Sequence, residues 1–261
     1  MQRIDGAAQN YGRDAEADLR QGKVNRLADL TIFQSQYARH STREMFSVIT
    51  QDGPIIHNPV DLQVFTPEGR RRKFPRRTQV ACVTWSKNPL KGMSQVYEVA
   101  QRNPDVDFIL CGSYDNAPDL KNVHGQGYLK RSDLAIALRS CHLLLTFSKN
   151  EACPNHVLEA LASGLPVLFE DSGAMQEVIG DCGQPVSVES FPRQLEIILA
   201  NLEIYSKTAR QRAVELFDPQ RNFSQYIDAI NESLKRPTHL PMIWRSLLAW
   251  SYPARQRLDL A

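Results

Sequence analysis

No run of about 18 apolar residues occurs anywhere in the sequence, which argues against a membrane-spanning helix. The first residues, MQRIDGAAQNYGRD, lack the apolar centre of a secretory signal. Neither charge is in excess: 31 basic residues face 29 acidic ones, a formal net charge of +2. That balance gives no electrostatic reason to expect nucleic acid as a partner. The five cysteines, at 82, 111, 141, 153 and 182, include no Cys-x-x-Cys pair, so neither a zinc ribbon nor a dithiol redox centre is suggested. They read as reduced thiols in a cytoplasmic protein. No internal repeat or low-complexity block stands out. What is present is a chain of 261 residues, 42% of them hydrophobic, enough for a sizeable buried core.

A short apolar run followed by a longer amphipathic stretch recurs along the chain, the pattern of βαβ units. Strands are predicted over residues 30–33, 55–57, 79–85, 108–111, 143–147, 167–169 and 185–188. Helices are predicted over 36–46, 91–102, 132–139, 155–163 and 175–179, and residues 191–234 become helical throughout. Residues 61–78, with prolines, a glycine and clustered arginines, read as a loop. The expected fold class is α/β, with a Rossmann-like domain over 55–215, a preceding piece over 1–54, and C-terminal helices and tail over 216–261.

The chemistry concentrates after the strand over 143–147. It runs into Ser148, Lys149, Asn150 and Glu151, and open α/β sheets bind ligands at the carboxyl ends of their strands. Pro154 suits the first turn of the helix that follows, which stops at Gly164 with Pro166 beyond it. A helix opening at that edge presents unsatisfied N–H groups, here those of Asn155 and His156, and a positive dipole end suited to a diphosphate. Glu151 before the helix and Glu159 inside it bracket this start, and carboxylates accept hydrogen bonds from sugar hydroxyls. Two glutamates at this spacing, taken alone, are more often a loop charge and a solvated helix residue.

Their surroundings change that reading. The segment SKNEACPNHVLEALASGLPVLFEDSGAMQEVIGDCG resembles the donor-site signature of retaining GT-B glycosyltransferases of family 4. Ser148, Glu151, the turn 152–156, Glu159-Ala160, Ser163-Gly164-Leu165-Pro166-Val167 and the stretch from Gly173 to Glu177 match its parts. Cys153 and Pro154 depart from it, standing where the family often carries an aromatic residue and a glycine. His57-Asn58-Pro59-Val60-Asp61 resembles the family's domain junction, with Pro59 in place of glycine. Residues 83–92 resemble its phosphate loop, in which Lys91 matches one of two basic residues. Ser86 occupies the place of the other, an arginine, and Lys87 is the substitute at hand. The similarity covers about residues 25 to 225.

The resemblance implies a GT-B C-terminal domain, a truncated N-terminal Rossmann-like portion over 1–54 that belongs to the acceptor side, and C-terminal helices. It further implies metal-independent transfer of a sugar, with retention, from a nucleoside-diphosphate sugar to an unidentified hydroxyl acceptor in a polysaccharide, glycan or glycolipid. No cofactor is expected beyond that donor substrate. The implied donor contacts are Ser86, Lys87, Lys91, Tyr128, Leu129, Ser148, Glu151, Cys153, Pro154, Asn155, His156, Val157 and Glu159. Glu159 would hold the ribose, Glu151 would face the transferred sugar, and the backbone at Tyr128 and Leu129 would frame the base. Asp5, after a stretch resembling a late strand of the acceptor domain, is the candidate for a catalytic acid or base beside Glu151 and Lys91.

Other features have plainer readings. Asp105-Val106-Asp107 spells the metal signature of a different glycosyltransferase fold but follows Asn103-Pro104, and reads as a turn leading into a strand. His156 is expected to act through its backbone N–H rather than its ring, and Glu177 through helix N-terminal charge. The arginines from 70 to 77 read as a solvated loop, the competing reading being peripheral contact with the inner face of an anionic membrane. Tryptophans 244 and 250 admit an interfacial segment or packing across the cleft. The residues before His57 are too few for a whole acceptor domain, so the expectation is that upstream sequence or a second chain completes the cleft. The alternative is a non-catalytic sugar-nucleotide-binding module or half-enzyme; a GT-B epimerase or phosphorylase is a remoter one.

Overall fold

The structure, a computed structural model, describes residues 1–45, 52–72, 77–114 and 116–236. Two parallel sheets organise it. The first comprises β1 (Gln2–Ile4), β2 (Thr31–Phe33) and β3 (Asp52–Ile55) in the order β1-β2-β3. Between these strands lie α1 (Ala15–Asn25) and α2 (Gln36–Met45). α1 opens on Asp14, whose carboxylate accepts the N–H of Glu16, one of the donors a helix start leaves unsatisfied.

The second sheet comprises β4 (Thr78–Thr84), β5 (Val106–Gly112), β6 (Val123–Gly127), β7 (Leu143–Thr146), β8 (Val167–Phe169) and β9 (Gly183–Pro185). Its order is β6-β5-β4-β7-β8-β9, all parallel. The chain starts in the middle, builds outward to one side, then returns to build the other. This is the doubly wound Rossmann order, and it opens a crevice between the strands where the winding reverses, here β4 and β7. The central strands are largely apolar because helices cover both faces: α3 (Met93–Arg102) and α7 (Phe191–Ala200) on one, α4 (Arg131–Arg139), α5 (Asn155–Ala162) and α6 (Met175–Ile179) on the other. Phe108, Phe147 and Phe191 fill the first interface and Phe65, Phe169 and Phe217 the second. Each such ring removed from water contributes roughly 1.5–3 kcal/mol.

The sheets are joined by a segment held down by arginines. Arg139 donates to the carbonyls of Thr66 (3.0 Å) and Val64 (2.7 Å). Arg210, on α8 (Leu202–Leu216), donates to those of Phe65 (2.9 Å) and Leu62 (3.2 Å). The final helix, α9 (Pro219–Leu234), returns to the first sheet, where Tyr226 and Ala229 pack on Leu30, Ile32 and Ile56.

Three elements differ from the sequence reading. The strand expected over 55–57 lies at 52–55, its backbone continuing with the Ile56 N–H donating to Phe33 O (2.8 Å). The last strand lies at 183–185 rather than 185–188. β6, with the sequence VHGQG, was not expected as a strand; it pairs at the sheet edge through backbone bonds to β5. The end of the helix expected over 36–46, part of the arginine run (residues 73–76) and both tail tryptophans fall outside the described residues.

Candidate functional site

The crevice between β4 and β7 is walled by the loops leaving those strands. The loop after β4 turns through Asn88, whose side chain accepts the Leu90 N–H (2.9 Å), and ends at Gly92. Gly92 has φ +69°, and an added Cβ would lie 2.5 Å from the Phe147 carbonyl oxygen, so only glycine lets the two loops approach this closely. The Lys149 N–H donates to Leu90 O (2.8 Å) across the gap. Lys91 is thereby fixed opposite Glu151, and its ammonium hydrogen-bonds the Glu151 carboxylate. The backbone of Glu151 is itself gripped: its carbonyl accepts the Ala174 N–H (2.7 Å), and at Gly173 (φ +66°) an added Cβ would sit 2.6 Å from its nitrogen and oxygen.

α5 begins just beyond. Pro154 is the cap rather than the first helical residue, and its carbonyl accepts the N–H groups of Val157 (3.0 Å) and Leu158 (3.2 Å). The N–H groups of Asn155 and His156 precede any intrahelical acceptor, as at the start of any helix. The His156 ring is buried, its Nε2 hydrogen-bonded to the Thr146 hydroxyl (3.1 Å), and desolvation lowers its pKa to about 4. That ring is neutral at physiological pH. Val157 lies wholly in the core and its N–H is already bonded, so it presents neither group to the crevice. Ser148 is also buried, its N–H bonded to Thr146 Oγ1 (3.3 Å). The buried Cys153 thiol sits 3.4 Å from the Asn58 nitrogen, and burial pushes its pKa up to about 12. It packs against the core beside the segment joining the two sheets, at the edge of the cleft that also holds Glu151, and its raised pKa does not suit a nucleophile.

Glu159 projects from the middle of α5. Its Oε2 is buried with no hydrogen-bond partner, and burial raises its pKa to about 7 despite the nearby Arg131. A carboxylate left orphaned in this way awaits donors. Arg131 begins α4, after Tyr128, Leu129 and the capping Lys130. Leu129 packs against the core, whereas Tyr128 is 79% exposed and meets Trp85 at 4.8 Å between ring centroids, the rings tilted by 56°. Trp85, which follows β4 and is also exposed, was not among the expected contacts; its signal in the sequence was an aromatic residue at the end of a buried strand.

The first sheet closes the other side. Asp5, Arg3, Arg13, Lys91, Glu151 and Asn155 line one polar cleft of about 420 Å³. Asp5 is held by the Gln34 side-chain amide and by Arg3 (3.4 Å). The Tyr11 hydroxyl donates to Asp5 O (3.1 Å) and accepts the Ala152 N–H (2.9 Å), bridging the two walls. Lys87 lies elsewhere, lining a separate hollow of about 270 Å³ with Tyr97 and Tyr114. The Ser86 hydroxyl accepts the Asn88 N–H (3.2 Å).

Three features read from sequence lie away from the cleft. Glu177 does not cap its own helix; it accepts the N–H groups of Gln36 (2.9 Å) and Tyr37 (3.4 Å) at the start of α2 and faces His57 Nε2 at 3.3 Å. Asp107 is buried in β5 beside His124 (3.1 Å), at the amino end of the sheet opposite the crevice. Arg71 and Arg72 are tied to Pro67 O (3.1 Å) and to Ser140 and Gln126.

Residues 83–201, which contain Lys91, Glu151 and Glu159, match the family model described as glycosyl transferases group 1. The chain is 27% identical over 214 residues to an MMP alpha-(1->4)-mannosyltransferase of Mycolicibacterium hassiacum, covering 73% of this chain and 51% of that protein. It thus spans about half the length of that curated relative. It superposes on sucrose-phosphate synthase from Thermosynechococcus elongatus with a TM-score of 0.75 at 18% identity, covering 88% of this chain and 64% of that one. On Anabaena HepE in complex with UDP and glucose the TM-score is 0.74 at 15% identity, covering 88% and 71%. The fold is the Rossmann-like GT-B arrangement, and the stretch matching the group 1 model holds the second-sheet wall of the crevice.

Proposed function

We propose that the chain carries the donor site of a glycosyltransferase that moves a sugar from a nucleoside diphosphate to a hydroxyl acceptor, with retention and without a metal ion. The observation that carries this is the division of the crevice into two ends. At one, Glu159 keeps a buried Oε2 without a hydrogen-bond partner, an acceptor we assign to the vicinal ribose hydroxyls, and the exposed Trp85–Tyr128 pair is assigned to the base. At the other, the paired Lys91 and Glu151 face Asp5 across the cleft. The N–H groups of Asn155 and His156 stand between them. The nearby group 1 match, the relative named as a mannosyltransferase and the neighbour bound to UDP and glucose support the same reading.

The chemistry follows from charge. As the bond from the anomeric carbon to the diphosphate breaks, negative charge grows on the leaving group and positive charge on the sugar. Lys91 and the α5 N–H groups stabilise the first, and Glu151 the second; preorganised charges of this kind usually supply the largest part of a rate enhancement. For retention, the acceptor oxygen bonds the anomeric carbon on the face from which the diphosphate departs, and Asp5 takes its proton. Of the other expected contacts, Cys153 lines the cleft with Lys91 and Glu151, whereas Ser148 and Val157 lie buried behind it.

Incubation with each of the UDP-, GDP- and ADP-sugars in EDTA tests the reading. Release of the nucleoside diphosphate, with a sugar product of unchanged anomeric configuration by NMR, is the expected result. Inversion or a metal requirement would contradict it, and binding without any release would assign the chain to a binding module or half-enzyme.

A further inference from the structure

The cations that the phosphate loop brings to the crevice do not suffice for a diphosphate. Lys91 is already paired with Glu151, so the two together carry no net charge. Ser86 is uncharged, and Lys87 lines a different hollow. Arg3 is committed to Asp5 and to the Asn58 side chain. Arg13, by contrast, lines the same cleft as Lys91 and Glu151. It is exposed, and among the described residues its contact is the face of the Tyr11 ring, 5.9 Å from the centroid. Such a contact leaves the guanidinium edge and its donors open.

The segment bearing Arg13 is pinned against both crevice loops. The Asn88 side-chain nitrogen donates to Tyr11 O (2.7 Å), that of Asn150 donates to Asn10 O (2.9 Å), and the Ala152 N–H donates to the Tyr11 hydroxyl (2.9 Å). Gly12, at φ +68°, then turns the chain toward Arg13, whose own N–H donates to Ala8 O (3.1 Å). From this juxtaposition we infer that Arg13 supplies the second cation for the donor's diphosphate. The anion site is then built from both walls, Lys91 and the start of α5 on one side and Arg13 on the other. A guanidinium suits the task because it can grip two phosphate oxygens at once. The inference rests on the donor-site reading above and goes beyond it: the cation missing from the phosphate loop is replaced from the other sheet.

Calorimetric titration with UDP, GDP and ADP, and with the matching monophosphates, tests it. For the diphosphate that the unaltered chain binds, Arg13→Gln should weaken affinity about tenfold or more, while the monophosphate changes less than about threefold. Arg13→Lys should recover part of the loss, and Lys87→Ala should leave diphosphate affinity within about threefold. Unchanged diphosphate binding in Arg13→Gln would overturn the inference. So would equal losses for both ligands, or a loss on Lys87→Ala in its place. Absence of all nucleotide binding by the unaltered chain is a separate result, seen before any variant is compared, and it would remove the donor-site reading itself.

Discussion

The ammonium of Lys91, on the loop after β4, hydrogen-bonds the carboxylate of Glu151, on the loop after β7. Two opposite charges therefore meet where the winding of the sheet reverses, with side-chain exposures of only 25% and 11%. Truncating one partner strands the other in a poorly solvated place. Lys91→Ala is expected to lose about 2–3 kcal/mol of stability, discounted from the fully buried case for the remaining solvent. The double variant Lys91→Ala/Glu151→Gln should recover much of that loss. Urea unfolding of the four species measures the coupling, and additive losses would show that the pair is not energetically joined.

Glu159 makes stability depend on pH in an unusual direction. Burial raises its pKa from the ordinary 4.5 to about 7. Between those values the folded chain holds a proton that the unfolded chain has released, so stability falls as pH rises through this window and levels off above it. The full penalty is about 3 kcal/mol. Glu159→Gln should abolish the slope and leave the variant more stable than the unaltered chain at pH 8. A ligand whose hydroxyls donate to the ionised carboxylate should release protons on binding at pH 6.5, read by calorimetry in buffers of different ionisation enthalpy. An unchanged pH–stability slope in Glu159→Gln would contradict the assignment.

Glu177 joins the two sheets. Burial opposes its ionisation, but the His57, Gln36 and Tyr37 donors together outweigh that and hold its pKa below the ordinary 4.5. A lowered carboxylate pKa contributes stability that is present above 4.5 and lost as pH falls through the folded-state value. Glu177→Ala should therefore lose about 1–2 kcal/mol at pH 7, as for loss of a helix cap. Hydrogen exchange at the start of α2 should speed up in the variant, and the difference from the unaltered chain should vanish in acid.

Gly173 controls the position of Glu151 from the loop behind it. In Gly173→Ala the new Cβ would meet the Glu151 backbone at 2.6 Å from a residue at φ +66°, and strain of this kind costs about 1–3 kcal/mol. Sugar transfer should fall by more than about tenfold, while binding of a nucleoside monophosphate, which does not reach Glu151, should stay within about threefold. Full activity in this variant would show that Glu151 is not held in place by the Gly173 loop.

The central strands of the second sheet were legible because they are buried: Leu143–Thr146 and Val106–Gly112 read as short, mainly apolar runs. The meeting of Lys91 and Glu151 was legible in part because they sit on short loops whose turns are written in Asn88, Gly92 and Pro154. β6 was not, because two glycines and a histidine carry no strand propensity and its place is set by backbone pairing with β5. The direction of Lys87 and the burial of the His156 ring depend on packing that no local pattern encodes. The least legible part was the bridge between the walls. Tyr11 meets Ala152, and Glu177 meets Gln36, across about 140 residues of chain, and Arg13 lines the cleft two residues after Tyr11.

Calorimetric titration of the chain with UDP-, GDP- and ADP-sugars tests the central claim most directly. At least one donor should bind in EDTA, and both Glu159→Ala and Lys91→Ala should weaken that binding by about tenfold or more. Failure of every sugar nucleotide to bind would contradict the account, as would affinities that neither substitution changes.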